Sequence, residues 1–174
     1  MANTYTLISS NVLSSSAASV TFSAIPATYT DLVLLCTMRG TGSGGNTIYL
    51  EFINSLQTSI YSYTRITGVG TTAASSRISN DIVAMQAIVP GSTYTSNTFG
   101  SFEIYFPNYA GASNKVISTF GATEDNATST NELSAQAGLF RNTGAITTFK
   151  ISNSGGGNNF VSGSSFYLYG IKSS

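Results

Sequence analysis

Few side chains in this sequence can do chemistry. It has seven Asp and Glu, seven Lys and Arg, one cysteine and no histidine. Lack of histidine removes Ser-His-Asp and Cys-His nucleophilic sites, and with them the usual zinc and non-haem iron ligand sets. Two carboxylates could still make a glycosidase pair, one acting as acid and the other as base or nucleophile. Glu51 and Glu103 are the candidates, since both fall on predicted strands. Each takes a polar-face position, however, where a solvated charge needs no further explanation. Glu124-Asp125-Asn126 gathers oxygens that suit calcium, but not in the Asp-x-Asp-x-Asp-Gly spacing of a calcium loop, so a solvated loop is expected.

The glycine-rich stretches fare no better as sites. Gly40-Thr41-Gly42-Ser43-Gly44-Gly45-Asn46 lacks the Gly-Lys-Ser/Thr ending that holds phosphates and reads as a hairpin tip. Gly68-Val69-Gly70 lacks the third glycine of a dinucleotide fingerprint and reads as a turn. Asn126-Ala127-Thr128 matches a glycosylation acceptor, a frequent coincidence in a Thr-rich chain. Cys36 sits in the apolar run Leu32-Val33-Leu34-Leu35-Cys36, which points to a buried thiol rather than a reactive one. The expectation is a protein that is not an enzyme and uses no metal or cofactor. Tyrosine is the remaining signal, with ten copies and no tryptophan. Tyr61, Tyr63, Tyr94 and Tyr109 lie near turns or in loop-like stretches. There they would serve as an interface for protein or sugar, or cover the edges of a sandwich.

The elements that carry these residues are strands. Period-2 alternation runs nearly everywhere, and no segment sustains a helical stripe. Ala18, Val20, Phe22 and Ala24 share one face of a strand that Pro26 ends. Leu32, Leu34, Cys36 and Met38 share a face of the next, whose other face begins apolar, as in a central strand covered on both sides. Ile48, Leu50 and Phe52 oppose Tyr49 and Glu51, and with the preceding glycine-rich loop predict a hairpin. Phe102, Ile104 and Phe106 form another face, closed by Pro107-Asn108. Val116, Ser118 and Phe120 follow, then the polar stretch from Thr123.

Near the C-terminus, Ile146 breaks parity with Phe149 and Ile151, predicting a bulge or offset. Gly155-Gly156-Gly157-Asn158-Asn159 reads as a turn. The last strand, Phe160 to Ile171, is apolar on both faces and belongs inside a sheet or under a partner. The segment Asp81 to Val89 fits a strand or a short helix. About eight strands with turn-to-turn spacing of this kind predict one all-β domain over residues 1–174. It should be a β-sandwich, jelly-roll-like as first choice and an immunoglobulin-like Greek key as second.

Charge and hydropathy narrow the partners. Charged residues are only 8% and net charge is zero, so Ser, Thr and Asn must supply solubility and copies of the chain repel one another little. Scattered single charges give no footprint for nucleic acid or an anionic membrane, and no run matches a membrane span. Met1-Ala2-Asn3-Thr4-Tyr5 lacks the basic start and apolar block of a signal peptide, so synthesis in the cytoplasm is expected.

Several stretches in order resemble a family of small virion structural proteins of tailed bacteriophages, including those of cyanobacteria and marine bacteria. The carriers begin with Val20-Thr21-Phe22-Ser23-Ala24-Ile25-Pro26 and Tyr29-Thr30-Asp31-Leu32, with its strand ending in Arg39. Tyr61-Ser62-Tyr63 before Gly68-Val69-Gly70 comes next, then Ile104-Tyr105-Phe106-Pro107-Asn108-Tyr109 before Lys115. Asn159-Phe160 and Gly163-Ser164-Ser165-Phe166-Tyr167-Leu168-Tyr169-Gly170-Ile171 close the set. The resemblance implies a virion component with no catalytic residues: a capsid decoration (cement) protein, or a piece of tail or fibre. Contact with other virion proteins such as the major capsid protein would follow, while zero net charge and a terminal strand apolar on both faces predict self-association, a trimer where copies match three-fold positions of a shell. The competing class is a carbohydrate-binding or host-receptor module.

Overall fold

The computed structural model describes residues 4–52, 59–126, 131–154 and 157–172. The described residues form twelve strands: β1 (Tyr5–Val12), β2 (Ser19–Phe22), β3 (Asp31–Met38), β4 (Asn46–Glu51), β5 (Tyr61–Val69), β6 (Thr72–Asp81), β7 (Met85–Val89), β8 (Gly100–Phe106), β9 (Lys115–Thr123), β10 (Glu132–Phe140), β11 (Phe149–Asn153) and β12 (Ser165–Ile171). They make two antiparallel sheets, one of eight strands ordered β1-β12-β3-β8-β9-β10-β5-β6 and one of four ordered β2-β11-β4-β7. The protein is a β-sandwich. Among the described residues, no helix is long and apolar enough to cross a membrane.

Alternation explains the core between the sheets, because inward positions recur every second residue. The large sheet contributes Leu32, Leu34, Cys36 and Met38 from β3, Phe102, Ile104 and Phe106 from β8, and Phe166 and Leu168 from β12. The small sheet answers with Val20, Phe22, Ile48, Leu50, Phe149 and Ile151. At the centre, Phe149 lies 5.2 Å from both the Phe22 and Phe106 rings, and Phe52 stacks on Phe140 at 4.8 Å. Cys36 is buried as expected, and desolvation pushes its thiol pKa well up.

Several connections differ from the sequence expectation. The loop over 40–46 is not a hairpin tip: β3 belongs to the large sheet and β4 to the small one, so the loop crosses between layers. It is fastened instead of free. Asn46 Oδ1 accepts from the Gly42 amide, its Nδ2 donates to the Gly42 and Gly44 carbonyls, and the Gly40 amide donates to Pro90 O. Gly91 packs against this loop so closely that a Cβ there would lie 2.0 Å from Gly44 O. Alternation predicts each strand but not its partner. The loop at Gly70 is a turn as read, with φ at +55°, and it joins β5 to β6.

β2 ends at Phe22, because Ala24 turns to positive φ and Ile25 takes the buried place instead. Ile146 lies in the loop before β11, fully buried, so its broken parity reflects a loop and not a bulge. The segment from Asp81 to Val89 resolves into the end of β6 and the strand β7. β12 begins at Ser165 and lies inside the large sheet between β1 and β3. Phe160 contributes only isolated bridges to Ala17 and Gly40. The turn over 155–159 and the acceptor-like Asn126-Ala127-Thr128 extend beyond the described residues.

The four-stranded sheet is too narrow to cover the eight-stranded one. β6 is exposed on both faces nearly throughout, and so is β1. β3, expected to be covered on both sides, has only one face fully covered, with Leu35 and Thr37 open to solvent. One layer of strands cannot bury both sides of another.

Candidate interaction face

β9 and β10 turn inside out relative to an ordinary sandwich strand. Along β10 the inward residues are Glu132, Ser134, Gln136, Gly138 and Phe140, while Leu133, Ala135 and Leu139 point outward. β9 does the same with Lys115, Ile117 and Gly121 inside and Val116, Ser118 and Phe120 outside. The face read as the core side of that strand is therefore its solvent side. The reason lies across the sandwich, where, among the described residues, β7 pairs only with β4 and no strand lies along its other edge. Thr123 Oγ1 donates to Ile88 O at 2.7 Å, and Gln136 reaches Ala84 O and the Gln86 amide at the limit of hydrogen-bond distance. Inward polar groups thus satisfy a sheet edge that would otherwise be buried unpaired.

The other inward residues of the pair have equally local causes. Lys115 runs to the end of the sandwich, where its ammonium donates to the carbonyls of Gly111 (2.6 Å), Ser113 and Thr143. Burial lowers its pKa. Gly121 must lack a side chain because a Cβ there would lie 1.9 Å from the Phe102 ring.

On the same inner face, Glu132 of β10 lies 4.0 Å from Arg65 of the neighbouring β5, and burial raises its pKa while Arg65 and Ser134 pull it down. The folded state therefore holds that proton more tightly than the unfolded chain does. Stability should fall as pH rises from the ordinary carboxylate value of ~4.3 to the raised folded value. Urea unfolding at a series of pH values should give a stability difference between the wild type and Glu132→Gln that follows this slope. A difference independent of pH would contradict it.

With polar groups drawn inward, apolar groups face out. Tyr5, Leu7, Val12, Leu35, Ile66, Val116, Phe120 and Leu133 are all exposed, and each lies on the outer face of the large sheet. Register aligns Tyr167, Leu35, Glu103, Phe120, Ala135 and Ile66 in one row across six strands. A bulge between Leu7 and Ser9 shifts the parity of β1, so that Val12 joins Tyr5 and Leu7 on this face. An open depression of about 370 Å³ lies among Leu35, Glu103, Phe120 and Tyr167. Within its strands, the charged residues on this face are Asp31, Arg77 and Glu103. Asp31 is engaged by the Tyr105 hydroxyl at 2.7 Å and the Asn108 amide at 2.8 Å, which pushes the Tyr105 pKa up to about 12.

The outer face of the small sheet is the opposite in character. Thr21, Tyr49, Glu51, Gln86, Lys150 and Ser152 occupy it, with Lys150 paired to Glu51 at 3.0 Å. Glu51 and Glu103 thus leave the sandwich from opposite sides and cannot act as one pair. Asp125 is not solvated either: its carboxylate accepts from the Thr95 amide at 3.1 Å and its carbonyl from the Thr95 hydroxyl at 2.6 Å. Among the described residues, no group of three His, Cys, Asp or Glu is placed to hold a metal ion.

The four tyrosines expected near the surface are all buried. Tyr61 and Tyr63 are inward residues of β5. The Tyr61 hydroxyl donates to Phe52 O at 3.2 Å, and burial raises its pKa. Burial, with Asp81 nearby, pushes that of Tyr63 up to about 12. Tyr109 is fully buried beneath the β2–β3 connection, its hydroxyl bonded to Pro26 O, and Tyr94 is buried in the loop after β7, where its backbone carbonyl accepts from Arg39 Nη2. A hydroxyl lets tyrosine satisfy loop carbonyls from within, so proximity to turns does not imply exposure. The exposed apolar residues are other ones, signalled only by the polar and glycine positions that alternate with them in β9 and β10.

Comparison of the chain with protein-family models, with curated proteins and with solved structures gives no match.

Proposed function

We propose that this chain is a non-enzymatic structural component of a tailed-phage particle, made in the host cytoplasm, that decorates the capsid and stabilises its shell. One observation carries the reading: a broad apolar face on one sheet, set against a polar and ion-paired face on the other. Exposed apolar patches of this breadth mark interaction surfaces. A sandwich with one such face suits a clamp over junctions of the major capsid protein, adding buried area without moving parts. Few charges on the face mean that attachment should persist at ~1 M salt, where the screening length is about 3 Å. Particles lacking the protein should assemble but break at lower temperature or on osmotic shock. Protein confined to the tail, or robust particles that fail to adsorb to cells, would overturn the reading.

We read the strand order as a jelly roll with additions. A jelly roll of eight strands puts its first, eighth, third and sixth in one sheet and its second, seventh, fourth and fifth in the other. Taking β2 to β8 and then β11 as those eight gives β2-β11-β4-β7 opposite β3-β8 and β5-β6. The β9–β10 hairpin is then an insertion between β8 and β5, and β1 and β12 extend the β3 edge.

A second reading, a module for host glycans, is favoured by the depression beside Phe120 and Tyr167. Aromatic rings next to the Glu103 carboxylate suit stacking on a sugar with hydrogen bonds to its hydroxyls. Adsorption of particles lacking the protein separates the two readings.

A further inference from the structure

We propose that the apolar outer face of the eight-stranded sheet is where two copies of this chain pack, sheet on sheet, about a two-fold axis. The inference rests on the reading of this face as a docking surface and gives it a second copy as occupant in free solution, one that the major capsid protein would displace on the particle. Area is the first support. At ~4.8 Å between strands and ~3.3 Å per residue, the face measures roughly 34 Å by 25 Å, about 850 Å² in projection. A stable interface needs about 800 Å² from each partner, so the face is the size of a whole interface. The apolar residues run across seven of its eight strands, from Tyr5 and Leu7 on β1 to Ile66 on β5. Broad apolar coverage is the character of homodimer interfaces, which are more apolar than those between separately soluble partners.

Shape and charge agree. A two-fold contact requires a surface complementary to itself. This face carries both a projecting side chain, Ile66 at 62% exposure, and the depression of about 370 Å³ beside Phe120. Beyond the engaged Asp31, the charges on its strands are one Arg77 and one Glu103, and the chain is neutral overall, so like charges do not hold two copies apart. Packing leaves the Lys150–Glu51 face of each small sheet outward, in water, and fills the depression that a sugar would need.

Sedimentation of the full chain at micromolar concentration tests this without any particle. A dimer is expected. Phe120→Asp and Leu133→Asp should each weaken it at least about tenfold, with unchanged circular dichroism because both side chains are exposed in the single chain. Thr21→Glu on the small sheet should leave it intact. A monomer, a trimer, a dimer indifferent to both aspartates, or one lost in Thr21→Glu would overturn the inference. A monomer that binds shells and loses binding in Phe120→Asp would overturn it while leaving the capsid reading standing.

Discussion

Truncating Phe149 to alanine should cost about 3–5 kcal/mol of folding stability, the range for removing a large aromatic from a core. Phe149 is fully buried on β11, within 5.2 Å of the Phe22 ring on its own sheet and of the Phe106 ring on the other. A third contact, edge-on to Phe52 at 6.4 Å, links it to the stack of Phe52, Phe140 and Tyr61. Its ring is therefore the place where the two layers meet. Phe22 and Phe106 are held in strands of the two facing layers, so the cavity has little freedom to collapse. For a domain of this length each kcal/mol moves Tm by about 2–4 °C, so a fall of roughly 6–20 °C is expected in thermal unfolding. Ile82→Ala, at a large side chain that is 58% exposed, should change stability by no more than about 0.5 kcal/mol. Similar losses in the two variants would mean that the layers are not joined through this ring.

The strands with apolar residues on one face were legible in the sequence because alternation is a local signal. β3, β4, β8 and β12 follow it, and their inward residues are those the pattern marks. β1, β5, β6 and β10 went unread for physical reasons. β6 buries nothing, so Thr72–Asp81 carries no apolar face to detect. β10 buries Ser134 and Gln136 and exposes Leu133 and Ala135, the reverse of the expected grammar. In β9 the same reversal made Val116 and Phe120 look like core. What decides their direction is a partner far away in sequence, the unpaired edge of β7, whose Ile88 carbonyl calls for Thr123. Pairing between sheets was equally hidden, since Leu50 and Leu34 read alike although they belong to opposite layers. The interaction face was missed for the same reason. It consists of residues whose alternation is ordinary and whose orientation only the register reveals.

Arg39→Ala should cost about 3–4 kcal/mol, through a loop that no strand supports. The guanidinium is buried and donates from Nη1 to Thr95 O (2.8 Å), Thr98 O (2.8 Å) and the Thr98 hydroxyl (3.0 Å). From Nη2 it donates to Gly91 O (2.8 Å) and Tyr94 O (3.1 Å). One planar group thus serves four carbonyls of the loop between β7 and β8, which also bonds to Asp125 through Thr95 and to the 40–46 loop through Pro90, Ser92 and Thr93. Alanine removes this shared donor; Gly91 O keeps the Tyr94 amide (3.2 Å) and Thr95 O the Thr98 hydroxyl (2.8 Å), so the loss falls mainly on the Tyr94 and Thr98 carbonyls, at about 1–3 kcal/mol for each that stays dry. Lysine keeps the charge but offers three donors from a single point, so it can reach only part of the set. Arg39→Lys should accordingly lose about half as much. Because the damage begins in the loop, hydrogen exchange over residues 91–98 should rise in Arg39→Ala before the core strands respond. Chemical unfolding measures the global loss, and a change below about 1 kcal/mol with unaltered exchange in the loop would show that its carbonyls find other donors.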